Sequence, residues 1–139
     1  MNYTNDFLAE LTARAQNNPR KRQHYDLRDS EEDTSMRMLN AIEPDTVIPV
    51  HRHTMTSEDV VVLRGSAVEI IYNDLGEVVE MVTMKPGSEC VGCHVPMGAW
   101  HTCRSMESGT VIIEFKNTMY DATTSEEIWD REKFGVKEK

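Results

Sequence analysis

The sequence predicts an all-β fold, an antiparallel sandwich or barrel, with a helix at either end. Three observations carry that prediction. From residue 36 to about residue 120, short alternating or wholly apolar runs follow one another, each stopped by a turn signal such as Arg64-Gly65, Asn73-Asp74-Leu75-Gly76 or Lys85-Pro86-Gly87. Apolar residues at helical spacing are confined to the segment before these runs, and a helix-like charged pattern to the segment after them. No apolar run approaches the ~18–20 residues that a membrane-spanning helix needs.

The first element is an amphipathic helix. Phe7, Leu8, Leu11 and Ala15 form one stripe, Thr4 or Asn5 caps the start, and Asn17-Asn18-Pro19 ends it. Residues 19–28 read as a polar, locally basic connector, and 29–35 as loop or a single helical turn. Strands are then expected over 36–42, 46–53, 59–63, 66–72, 77–84 and 110–116. The tail at 125–134 reads as a short helix, with Glu127 and Arg131 four apart. Residues 1–35 are thus an N-terminal arm and connector, 36–120 the barrel and 121–139 the tail.

Composition narrows the function. A chain of 139 residues, 39% hydrophobic and 28% charged, suits one folded domain rather than a disordered segment. A net charge of −9 argues against nucleic acid or an anionic membrane as partner. The N-terminus lacks a basic region followed by an apolar stretch, so no signal peptide and a cytoplasmic location are expected. In that compartment Cys90, Cys93 and Cys103 are expected as free thiols. Cys90-Val91-Gly92-Cys93-His94 spells a c-type haem signature, but covalent haem goes with export, and no haem is expected. A thiol pair formed by Cys90 and Cys93 is a minor alternative.

The histidines point to a metal. His51 and His53 alternate at a strand end, so their imidazoles share a face. Glu58 follows across a turn, and His101 begins a strand after the Pro96-Met97-Gly98 turn. Three imidazoles and one carboxylate hold a divalent ion (Zn, Fe, Mn or Ni) and leave coordination positions open, as a catalytic site requires.

The spacing His51-x-His53-x4-Glu58-x6-Gly65, followed by Pro96-x-Gly98-x2-His101, resembles the two motifs of the cupin superfamily. Cys90 stands where the second motif usually starts with glycine, and Ser105 where it ends with asparagine. Along residues 19–121 the chain looks like the WbuC family of cupin-fold metalloproteins, encoded among bacterial surface-polysaccharide genes. The resemblance implies a single small cupin, a double-stranded antiparallel β-barrel or jelly roll, with His51, His53, Glu58 and His101 on the metal. It also implies a homodimer and a small-molecule ligand, a sugar or sugar nucleotide.

Other residues carry two readings each. Arg20, Lys21 and Arg22, with His24, Tyr25 and Arg28, form a basic cluster that is either a solvated connector or an anion clamp for a phosphorylated or nucleotide-linked sugar, with Arg20, Arg22 and Tyr25 as its candidate binding residues. Glu114 and Lys116 alternate with Val111, Ile113 and Phe115; the apolar set is expected to take the core, leaving the charged pair outside. The other reading has Glu114 and Lys116 line the mouth of the site, and Glu69 poses the same question. Cys103 should share the inward face of His101, as a small buried hydrophobe or as an extra ligand or redox-sensitive neighbour. Met36 and Met38 are expected as core filler, and Met55 and Met97 as an apolar wall near the ligands.

Three functions fit. The first is a metal-binding cupin handling a carbohydrate or nucleotide-sugar intermediate in surface-polysaccharide metabolism, with its general base unidentified. The second is an Fe(II)-dependent dioxygenase-type cupin. The third is a non-catalytic metal-dependent binding or sensor module, so the sequence leaves open whether the protein is an enzyme.

Overall fold

A computed structural model describes residues 1–117 and 126–129, the last segment by backbone alone at 126 and 127. Helix α1 spans Asn5–Asn17 and precedes ten strands: β1 (Arg22–Asp26), β2 (Met36–Ile42), β3 (His51–His53), β4 (Glu58–Arg64), β5 (Ala67–Tyr72), β6 (Val78–Met84), β7 (Gly92–Val95), β8 (Trp100–Ser105), β9 (Thr110–Lys116) and β10 (Glu126–Ile128). They form two five-stranded antiparallel sheets, ordered β1-β2-β9-β4-β7 and β10-β3-β8-β5-β6. This is the jelly-roll arrangement expected.

Helix α1 starts where Thr4 accepts a hydrogen bond from the Phe7 amide (3.1 Å) and ends at an extended Asn18 before Pro19. Its stripe of Leu8, Leu11 and Ala15 packs on Leu39, Ala41, Val111 and Ile113. That packing decides the orientation of β9. Val111 and Ile113 lie beneath the helix on the outside of the first sheet, whereas Ile112 faces the barrel core with Ile42, Val60, Val62, Ala67, Met84 and Cys103. Glu114 and Lys116 follow Ile112 inward, and Phe115 is the exposed residue. The expectation that the apolar set would leave Glu114 and Lys116 on a solvated face is therefore overturned, because a helix supplies a second apolar environment outside the barrel.

Three further expectations are corrected. Half of the basic connector is strand β1, which pairs with β2 along its whole length. Residues 92–95 form β7 on β4, although no alternation marks them. Residues 126–128 are strand rather than helix: β10 adds to the edge of β3, and the Trp129 amide donates to the Val50 carbonyl (2.7 Å). Trp129 packs edge-on against Trp100, 4.9 Å between ring centroids, so an apolar anchor outweighs the weak helical pattern. The remainder of the predicted tail helix, with Arg131, lies outside the described residues.

Gly65 closes the β4–β5 turn at φ +80, and a Cβ built there lies 2.7 Å from the Thr110 Cα. Both the left-handed backbone and the clash exclude a side chain. Gly65→Ala is expected to lower stability by roughly 2–4 kcal/mol in urea unfolding, because backbone rather than a flexible side chain must yield.

Candidate metal centre and adjoining cavity

Both sheets contribute to one cluster. His51 and His53 come from β3, and His101 from β8, where it is the direct cross-strand partner of His51. Glu58 opens β4 on the opposite sheet. Each of the four offers one ligand atom, and these atoms lie within 4.8 Å of one another, a group that could hold a metal ion. Gly98 makes the approach possible: at φ +84 it turns the chain, and its amide donates to the His53 carbonyl (2.8 Å), clamping the β7–β8 turn onto β3.

The ring orientations suit a metal. His51 Nδ1 donates to the Pro49 carbonyl (2.8 Å) and His101 Nδ1 to the Ala99 carbonyl (2.9 Å), so each ring is fixed with Nε2 as the remaining ligand atom. His101 Nε2 lies 2.9 Å from Glu58 Oε1. His53 Nε2 is buried 3.4 Å from the same oxygen and makes no hydrogen bond. An orphaned buried imidazole nitrogen aimed at a carboxylate and two other imidazoles is what a metal would satisfy.

Electrostatics divides the group. Burial disfavours the charged form of His51, and His101 adds to this, pushing its pKa down to about 3, so it is neutral at pH 7. Burial also opposes charge on His101, but the hydrogen bond and charge of Glu58 outweigh it and raise that pKa. Glu58 is held well below the usual range: burial would raise it, but the hydrogen bond from His101 and the polar neighbours His53 and Glu114 overcome that. Glu114 goes the other way, raised well above its ordinary value by burial and by the Glu58 charge, so the two carboxyls share one proton.

A cavity of about 380 Å³ opens beside His51. Arg20, Arg22, His24, Glu114 and Lys116 line it, as do Asn40 and Met38, which the sequence did not single out as ligand-contacting. His24 alternates with Arg22 on β1. Met36 is buried but also reaches the cavity, so it is more than core filler. Tyr25 is a correction: it points to the other face of β1, where its ring meets Phe7 edge-on at 5.3 Å. Met55 and Met97 are exposed and do not form an apolar wall of this cavity.

Glu69 settles on the inside. It is 1% exposed, neither carboxyl oxygen has a hydrogen-bond partner, and burial pushes its pKa up to about 8. Cys103 is its cross-strand partner and a buried thiol, raised well above its usual pKa by burial. Cys90 and Cys93 are also free thiols, and burial drives Cys93 up to about 12, which makes it a poor nucleophile. His94 lies on the outer face, 2.9 Å from Asp59, away from the metal group.

Comparison with known proteins locates this architecture. A family model described as "Domain of unknown function (DUF6016)" matches residues 3–84. No curated protein matches the sequence. Among solved structures, the capsular polysaccharide assembling protein CapF from Staphylococcus aureus is similar at TM-score 0.59 and 17% identity, over 73% of this chain and 28% of that one. KdgF from Halomonas sp. is similar at TM-score 0.58 and 13% identity, over 76% and 87%. A recombinant oxalate oxidase in complex with glycolate is similar at TM-score 0.59 and 15% identity, over 73% and 53%. The chain thus spans most of KdgF but little more than a quarter of CapF. These neighbours have the cupin fold, and at such identities the likeness concerns the fold alone. No helix among the described residues is long and apolar enough to cross a membrane.

Proposed function

The chain belongs to the family described as Domain of unknown function (DUF6016), and from that premise we propose that it is a metal-dependent cupin acting on a small carbohydrate-type ligand. The observation that carries the reading is the group of buried His53, Glu58 and His101 with half-buried His51, which lines the cavity beside it. A divalent ion held by these four residues would supply a Lewis acid able to polarise a carbonyl or hydroxyl oxygen of the ligand. The chain's own residues do the rest. Pro49 and Ala99 carbonyls orient two imidazoles, Glu58 supplies the negative charge, and the protonated Glu114, hydrogen-bonded by Asn40 Nδ2 (3.4 Å), is a proton source at the inner wall of the cavity.

The carbohydrate assignment comes from the resemblance to WbuC-like proteins and the homodimer from the resemblance to cupins, and the printed description of CapF is in line with the first of these. Elemental analysis of protein purified without chelator tests the core of the reading, with about one divalent metal per chain expected. Protein free of stoichiometric metal under those conditions would refute it. Oxygen uptake that requires added Fe(II) would replace the carbohydrate reading with a dioxygenase one.

A further inference from the structure

The strand that supplies two of the four candidate ligands is weakly held by the middle of its own sheet. β3 is three residues long, and its one register pair with β8 is His51 opposite His101. On its other side all three residues pair with β10: His53 with Glu126, Arg52 with Glu127 and His51 with Ile128. The Trp129 amide extends that ladder by donating to the Val50 carbonyl (2.7 Å). Other ties reach the ends of β3, from the Thr102 hydroxyl to the Ile48 carbonyl (2.6 Å) and from the Gly98 amide to the His53 carbonyl (2.8 Å). Of the four register pairs that β3 makes among the described residues, three belong to β10.

β10 in turn depends on Trp129. It is itself a three-residue strand at the edge of its sheet, too short to stay docked by pairing alone. Ile128 is exposed and adds little burial, whereas Trp129 is buried with Val50 and Trp100, and Tyr72 packs beside them. Its ring meets Trp100 edge-on at 4.9 Å and lies 6.2 Å from that of Tyr72. The Arg52 guanidinium lies 4.5 Å from the centre of the same Trp100 ring. Arg52 separates the two histidines, so anchoring it on the outer face keeps both imidazoles on the inner one. One aromatic cluster thus secures the pairing of β3 and the face that it turns inward.

We infer that Trp129 is a positioning residue for the metal centre: it latches β10 onto β3 and so holds His51 and His53 against His101 and Glu58. The inference rests on the metal reading of those four residues. Trp129 is neither one of the four nor part of the cavity wall, so it acts through the strand it docks. Undocking removes most of the pairing of β3 and loosens two ligands together, while the other strands, none of which pairs with β10, stay closed. Metal exchange therefore runs through opening of this latch.

Release of zinc from loaded protein into an excess of chromophoric chelator tests this. Trp129→Ala is expected to release zinc at least about tenfold faster than the parent, and Trp129→Phe within about threefold of it. Trp129→Leu, which keeps an apolar group without the ring, should fall between them and stands in if the alanine protein does not fold. Leu11→Ala, in helix α1 against the other sheet, lowers general stability away from β10 and should release zinc at the parental rate. Parental release from both Trp129→Ala and Trp129→Leu, or release from Leu11→Ala as fast as from Trp129→Ala, would overturn the inference. Hydrogen–deuterium exchange of the metal-free proteins separates the latch from the metal. Trp129→Ala should speed exchange over residues 48–55 and leave residues 110–116 unchanged. A parent that held no zinc would refute the metal reading; exchange would then decide the latch alone, upheld if 48–55 speeds up and overturned if it does not.

Discussion

Protein carrying His101→Ala is expected to bind its divalent metal more than about 100-fold more weakly than the parent, since loss of a mere supporting contact already costs ~10–100-fold. His101 is central to the group. Its Nε2 is 2.9 Å from Glu58 Oε1, its ring centroid is 4.3 Å from that of His51, and the Ala99 carbonyl fixes its other nitrogen. Alanine there removes a ligand and also leaves the buried Glu58 carboxylate without its shortest hydrogen bond, so the loss is electrostatic as well as coordinative. The proton on His101 competes with the ion, and because Glu58 raises that pKa, parental affinity should climb with pH until His101 is neutral. His94→Ala, on the outer face beside Asp59, should leave affinity unchanged. Competition with a chromophoric chelator measures all three, and a His101→Ala protein with parental affinity would remove the histidine from the site.

Glu69→Met should make metal-free protein markedly more stable at pH 8 and much less so at pH 5. The unfolded carboxyl ionises near 4.5, whereas burial keeps the folded one protonated to about 8. In that window the unfolded chain binds fewer protons than the native one, so parental stability falls as pH rises from about 4.5 and levels off above about 8. At about 1.4 kcal/mol per pH unit, the fully developed cost is roughly 5 kcal/mol, a large share of the roughly 5–15 kcal/mol that holds a domain together. Methionine fits the surroundings, which already include Met84 and Val82, and it removes two carboxyl oxygens that have no partner. Urea unfolding of both proteins at the two pH values is decisive. Parallel pH dependence in parent and variant would show that Glu69 is not the group responsible.

The four candidate ligands were legible because their spacing is local or anchored by turns. Two histidines on alternate strand positions must share a face, and the Pro96-Met97-Gly98 turn fixes where β8 begins. The direction of β9 was not legible. Alternation divides its residues into two sets but cannot say which set is inside when α1 provides an apolar surface outside. The same ambiguity misplaced Tyr25, whose strand sends Arg22 and His24 to the cavity and the tyrosine to Phe7. Strand β10 has three residues, too few for any period to register, and its position depends on a tryptophan contact with a residue far away in sequence. The basic rim, by contrast, was visible as a cluster while its place on a cavity was not, because only the fold brings Lys116 and Glu114 beside it.

The pairing of β10 with β3 also orders events during synthesis. His51 and His53 are made early, but their strand lies between β8, which carries His101, and β10, which follows every other strand in chain order. A nascent chain therefore has the histidines long before it has both neighbours of the strand that presents them. The strand that presents His51 and His53 is therefore flanked on both sides only after Glu126–Ile128 have been made.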